Sequence, residues 1–144
     1  MTRKQLVAAL AVAAIGSGCL AGCARSHAAA GRQRPPARME QTGHTRSVVL
    51  TPLGARGIGI KTAPSAATGK TVVMPFGALL YEPDGRAVAY VKTAPLTFTR
   101  YFITVLHISG DEVFVTQGLT AGQQVVTVGA EELLGVQNGV GVKT

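Results

Sequence analysis

Tryptophan is absent from this 144-residue chain, and the remaining aromatics are three tyrosines and four phenylalanines. Those seven rings are scattered, so there is no closely spaced row on which successive nucleic-acid bases stack. Charge is scarce as well. Asp, Glu, Lys and Arg make up 15% of the residues and hydrophobic types 47%, the reverse of the balance that keeps a chain disordered. The longest apolar run is the ten residues from Leu6 to Ile15, half of what a membrane-spanning helix needs. Acidic residues number seven against fourteen basic ones, a formal net charge of +7. Such an excess ordinarily points to a polyanionic partner, and its placement along the chain decides which. The length allows one small domain at most.

The N-terminus reads as an address. Arg3 and Lys4 precede the apolar stretch Leu6–Ile15, and Gly16-Ser17-Gly18 breaks it before a run of small residues, as in a secretory signal peptide. The tetrapeptide Leu20-Ala21-Gly22-Cys23 resembles the lipobox of bacterial lipoproteins. That resemblance implies lipid attachment at the Cys23 sulfur and cleavage before it, leaving residues 1–22 as a lipoprotein signal peptide. The alternative is an ordinary cleavage after Ala21 or Gly22, with Cys23 left as a reactive thiol. Cys19 falls on the removed side, so the mature chain has no intramolecular disulfide and rests on its core alone. The expected location is the cell envelope, lipid-anchored on the periplasmic side. Ala24 in place of Asp after the cysteine implies the outer membrane if the envelope is Gram-negative.

Residues 23–47 show no apolar periodicity, carry Pro35-Pro36 in their middle, and read as a flexible, disordered tether. Their five arginines (Arg25, Arg32, Arg34, Arg38, Arg46) against Glu40 give +4, whereas residues 48–144 hold seven basic and six acidic residues, or +1. The surplus charge belongs to the tether. Beside a lipid anchor, each basic residue adds about 1 kcal/mol of attraction to anionic headgroups. The high isoelectric point therefore needs no nucleic acid.

From Val48 the texture changes to short β-like runs between turns. Ser47–Thr51, Gly57–Thr62, Lys70–Pro75, Ala78–Tyr81, Arg86–Lys92, Leu96 to about His107, Glu112–Thr116 and Gln124–Val128 read as strands. The Glu82-Pro83-Asp84-Gly85 turn is the strongest hairpin signal, because an Asp-Gly pair accepts positive φ at low cost. Gly129–Leu134 is expected to form one helical turn. The fold class is all-β, a small β-roll or barrel of six to eight strands occupying residues 48–144.

Three segments then carry a resemblance: Met74-Pro75-Phe76-Gly77-Ala78-Leu79-Leu80-Tyr81, Val88-Ala89-Tyr90-Val91, and above all Gly118-Leu119-Thr120-Ala121-Gly122-Gln123-Gln124-Val125-Val126-Thr127-Val128-Gly129-Ala130-Glu131-Glu132-Leu133. In that order they resemble the C-terminal membrane-proximal domain of the periplasmic adaptor subunits, or membrane fusion proteins, of RND-type efflux systems. Leu50-Thr51-Pro52 with Ile58–Pro64 is similar to the segment that opens the adaptor β-barrel, especially in the heavy-metal branch. The resemblance spans about Val48 to Val142. It implies a non-enzymatic role and a partner that is an RND-type inner-membrane transporter or a full-length adaptor. A full adaptor also carries a lipoyl-like sandwich split by a helical hairpin, and the few residues between Thr62 and Thr71 leave no room for either. The conduit role therefore does not carry over; packing on a transporter face does.

Catalytic chemistry has little to work with. His27 and His44 lie in the tether, and no Ser, Cys or paired carboxylate accompanies His107 in a nucleophile or metal pattern. Asp84 and Asp111 sit beside glycines in turns, and Glu131-Glu132 start a helical turn, where backbone dipoles favour acids. Met39, His44, Met74 and His107 form no spaced metal-ligand cluster, and Met74 is expected in the core. No catalytic residue, metal ligand or cofactor is assigned. The expected function is that of a lipid-anchored accessory component of a drug or heavy-metal efflux system, held to the membrane through Cys23 and to its partner through Tyr81, Asp84 and Arg86. The competing expectation is a stand-alone lipoprotein that binds a metal ion or small ligand.

Overall fold

A computed structural model describes residues 35–140. The expected signal peptide, Cys23, His27 and the expected tether as far as Arg34 lie outside the described residues, as do 141–144.

The described residues form an all-β fold with two short α-helices. Eleven strands run β1 (Ala37–Thr42), β2 (Thr45–Leu50), β3 (Lys61–Pro64), β4 (Ala66–Thr68), β5 (Thr71–Pro75), β6 (Leu80–Tyr81), β7 (Ala87–Ala94), β8 (Thr97–Phe102), β9 (Thr104–Ser109), β10 (Glu112–Gln117) and β11 (Gln124–Val128). Helix α1 (Pro52–Ile58) follows β2, and α2 (Ala130–Gln137) follows β11. The first sheet has the order β1-β2-β8-β7-β11-β3, with β6 also on β7; the second is β4-β5-β10-β9. Every pairing is antiparallel. The sheets do not close into a barrel.

Two cores explain why β7 reads as an unbroken apolar run rather than an alternation. Val88 and Tyr90 face a cluster with Val48, Leu50, Phe98, Val126 and Leu133, against which α1 and α2 pack. Ala89, Val91 and Val125 face the second sheet, where they meet Met74, Val113 and Val115. The helices, first sheet and second sheet thus form three layers, and β7 and β11 are buried on both faces. Met74 is fully buried, as its sequence context implies.

The exit turn joins the layers. β10 ends the second sheet at Gln117, and Gly118 (φ 98°) and Gly122 (φ 87°) let the chain swing into β11 of the first. At Gly118 any side chain would collide with the Phe102 carbonyl, so the site requires glycine for space as well as for dihedral angle. Buried Ser65 pins this turn: its Oγ donates to Thr120 O at 2.9 Å, and its carbonyl accepts from Gly122 N at 2.8 Å.

Four expectations change. The ordered domain starts before Val48, because β1 and β2 take residues 37–47 from the expected tether. β1 is an edge strand that buries little beyond Ala37, so the backbone ladder orders it and no apolar alternation marks it. The Gly57–Thr62 strand is instead the end of α1 and the start of β3. Thr51 caps α1, its Oγ1 accepting from Gly54 N at 3.0 Å, Pro52 supplies the first turn, and Gly59 (φ 73°) ends it. The long strand from Leu96 breaks at Ile103 into β8 and β9, which belong to different sheets. The helical turn after Gly129 extends to the eight residues of α2, with Glu131 and Glu132 in its first turn.

Candidate docking site at the β6–β7 hairpin

The Glu82–Gly85 turn closes with Gly85 N donating to Glu82 O at 2.8 Å and Glu82 N to Arg86 O at 2.9 Å, with Gly85 at φ 84°. Asp84 Oδ1 accepts from Arg86 N at 3.0 Å, and its Oδ2 meets Arg86 Nε at 2.6 Å. The Arg86 backbone N–H, helped by the guanidinium, holds the exposed Asp84 carboxyl below the usual carboxylate range.

Behind this rim lies a buried charge. The Glu82 side chain, 8% exposed, pairs with Arg100, 13% exposed, and also with Arg86 Nη2 at 3.2 Å. Gln137 on α2 turns its amide oxygen to Arg100, 3.0 Å from Nε and 2.9 Å from Nη1, and its amide nitrogen to the Tyr90 hydroxyl. Burial pushes the Tyr90 hydroxyl above its ordinary pKa, with the Arg100 charge opposing. Outside, the Phe102 ring carries two cations: the Arg86 guanidinium stands 4.1 Å from its centroid and that of Arg100 4.8 Å. The result is a shallow cavity of about 390 Å³ whose walls include His44, Arg46, Glu82, Arg86, Arg100 and Phe102.

Of the residues expected at a partner surface, Asp84 and Arg86 are brought together by their ion pair, and Tyr81 stands on the same hairpin, 55% exposed but outside that cavity. Cys23 lies outside the described residues. Glu82, Arg100, Phe102 and Gln137 were missed by the sequence. The available signal was Arg100 itself, a lone cation between Phe98 and Phe102 at period two on a strand whose face is otherwise apolar.

Elsewhere, His107 stacks on its cross-strand neighbour Phe114 at 4.2 Å. Asp111 lies between β9 and β10, and Met39 is on β1. Among the described residues no group of three or more His, Cys, Asp or Glu is arranged to hold a metal ion. β9 is an edge of the second sheet and displays Leu106, 58% exposed, and Ile108, 45% exposed. Compared with protein-family models, with curated proteins and with solved structures, the chain matches none.

Proposed function

We propose that this protein is a lipid-anchored, non-enzymatic envelope component that docks, as an adaptor-like accessory subunit, on an RND-type efflux transporter or on its full-length adaptor. The observation that carries docking is the construction of the β6–β7 hairpin. Its exposed rim of Tyr81, Asp84 and Arg86, with Phe102 of the neighbouring β8 under the Arg86 guanidinium, is backed by the buried Glu82–Arg100 pair, so a mixed aromatic and charged surface is presented on a fixed support. Interfaces favour this composition, with aromatic and arginine side chains as anchors. The unpaired edge of β9, with Leu106 and Ile108, adds a second place where another sheet can extend this one. The adaptor-like segments Met74–Tyr81, Val88–Val91 and Gly118–Leu133 supply the class of partner, and attachment at Cys23 raises its local concentration enough for a weak interface to suffice.

The test is cross-linking in intact cells from a photoreactive residue at position 81. The expected product joins the protein to an RND-type transporter or adaptor, Arg86→Glu lowers the yield without shifting the melting curve, and Cys23→Ser releases the protein from membranes. Capture of unrelated envelope proteins alone, with unchanged drug and metal sensitivity in a deletion strain, refutes the proposal.

A further inference from the structure

A second groove in the described domain lies away from the hairpin. It has a volume of about 580 Å³ and is walled by the end of α1, the start of β3 and the β7–β8 turn. Its apolar wall includes Ile60, Leu96 and Phe98; its polar wall includes Arg56, Lys61 and Lys92. None of its lining residues is acidic, and none of the three cations pairs with a carboxylate among the described residues. The volume falls within the range of about 300–1,000 Å³ usual for small-molecule sites.

Two left-handed residues shape this groove. Gly59 (φ 73°) ends α1 and turns the chain into β3. Leu96 (φ 59°) is the one non-glycine residue with positive φ among the described residues, and its carbonyl accepts from Leu50 N at 2.9 Å. Leucine at such a position is strained, and glycine would relieve the strain. Retaining a leucine there keeps an isobutyl group in the groove wall at a conformational cost, a pattern met at ligand sites.

We propose that this groove binds the monomer of a single-chain anionic amphiphile of the fatty-acid class. Its carboxylate is met by Arg56, Lys61 and Lys92, and its alkyl chain lies on Ile60, Leu96 and Phe98. A concave site with cations on one side and apolar carbon on the other fits one such molecule better than a flat membrane surface does. The proposal does not depend on the docking role, since none of the hairpin rim residues lines the groove.

The probe is sodium dodecanoate, titrated calorimetrically below its micellar concentration into the full chain carrying Cys23→Ser, so that no attached acyl chain competes. Saturable one-to-one binding is expected. The exposed pair of substitutions Lys61→Gln and Lys92→Gln should weaken it by about tenfold or more, and Leu96→Gly should weaken it while leaving the melting temperature equal or higher. Dodecyl maltoside, with the same chain and no charge, should not bind saturably. Absence of saturable binding, equal binding of the maltoside, unchanged affinity in the variants, or binding to anionic vesicles without binding of monomeric dodecanoate would each overturn the proposal.

Discussion

Removing the Glu82 carboxylate leaves Arg100 almost fully covered by protein with its charge no longer compensated. Glu82→Ala does this with no change in the backbone of the turn, whose two closing hydrogen bonds are main-chain. The loss has two parts of unequal size. Arg86 is more than half exposed, so its contact with Glu82 contributes at most about 1 kcal/mol. Arg100 is not, and breaking a buried pair from one side costs about 3–5 kcal/mol. Against a total stability of about 5–15 kcal/mol for a domain of this kind, the midpoint of urea unfolding should fall sharply. The melting temperature should drop by at least about 12 °C, taking about 4 °C per kcal/mol as the lower limit for a domain near 100 residues. The double variant Glu82→Leu with Arg100→Met should recover most of the loss, because two apolar side chains replace the pair and no buried charge remains. Circular dichroism melts and urea titrations of the three proteins measure all of this. A cost below about 1 kcal/mol for Glu82→Ala, or a double variant no better than the single one, would show that the pair does not support the hairpin and would remove the rigid backing from the docking argument.

Gly118→Ala and Gly122→Ala test the exit turn as a pair: Gly122 has open space and should lose only about 1 kcal/mol of left-handed strain, whereas Gly118 adds a collision with the Phe102 carbonyl and should lose several-fold more in urea unfolding. A chain beginning at Val48 should unfold at lower urea than one beginning at Gln33, since it loses β1, the core packing of Ala37 and the Pro36 carbonyl that accepts from Thr51 N at 2.9 Å. Equal stability of the two would return residues 37–47 to the status of a tether. The Tyr90 hydroxyl, raised above its reference value of 10.0 by burial, keeps its proton in the folded state after the unfolded chain has lost it. Its stabilisation is therefore complete below pH 10.0 and is lost as the pH climbs through the higher folded value, so Tyr90→Phe should flatten the alkaline limb of a stability profile measured by urea unfolding.

The sequence was most legible where a local rule had no competitor. Asp84-Gly85 announces a reversal, and the glycine has the positive φ that such a turn needs. Gly118 and Gly122 announce the exit turn for the same reason. Around α1 the local signals conflict: Gly57-Ile58-Gly59-Ile60 alternates in period two, yet Thr51 and Pro52 form a helix start and both isoleucines pack on the first core. The cap and the packing prevail over the alternation. β1 was invisible because its order comes from main-chain pairing with β2 rather than from a buried face. Glu82 looked like any turn acid, since its partner Arg100 is brought to it only by the pairing of β7 with β8, and Gln137 only by the placement of α2. Such clusters are tertiary, and no spacing along one element encodes them.

The position of β11 between β3 and β7 has a consequence for the birth of the molecule. β11 is the last of the described strands to be made, and it is the one that bridges Thr62 to one side and Val91 to the other. Until Val125 and Val126 emerge, Ala63 has no ladder partner, the middle of the first sheet is open, and both cores lack a valine that is wholly enclosed in the finished protein. Pairings so distant in sequence also make closure slow. A partly synthesised chain holds all the strands of the second sheet and the β1-β2-β8-β7 part of the first, yet neither core can be completed until nearly its end. The finished packing on both faces of the first sheet therefore waits on one short strand, which sets the moment at which the two cores close.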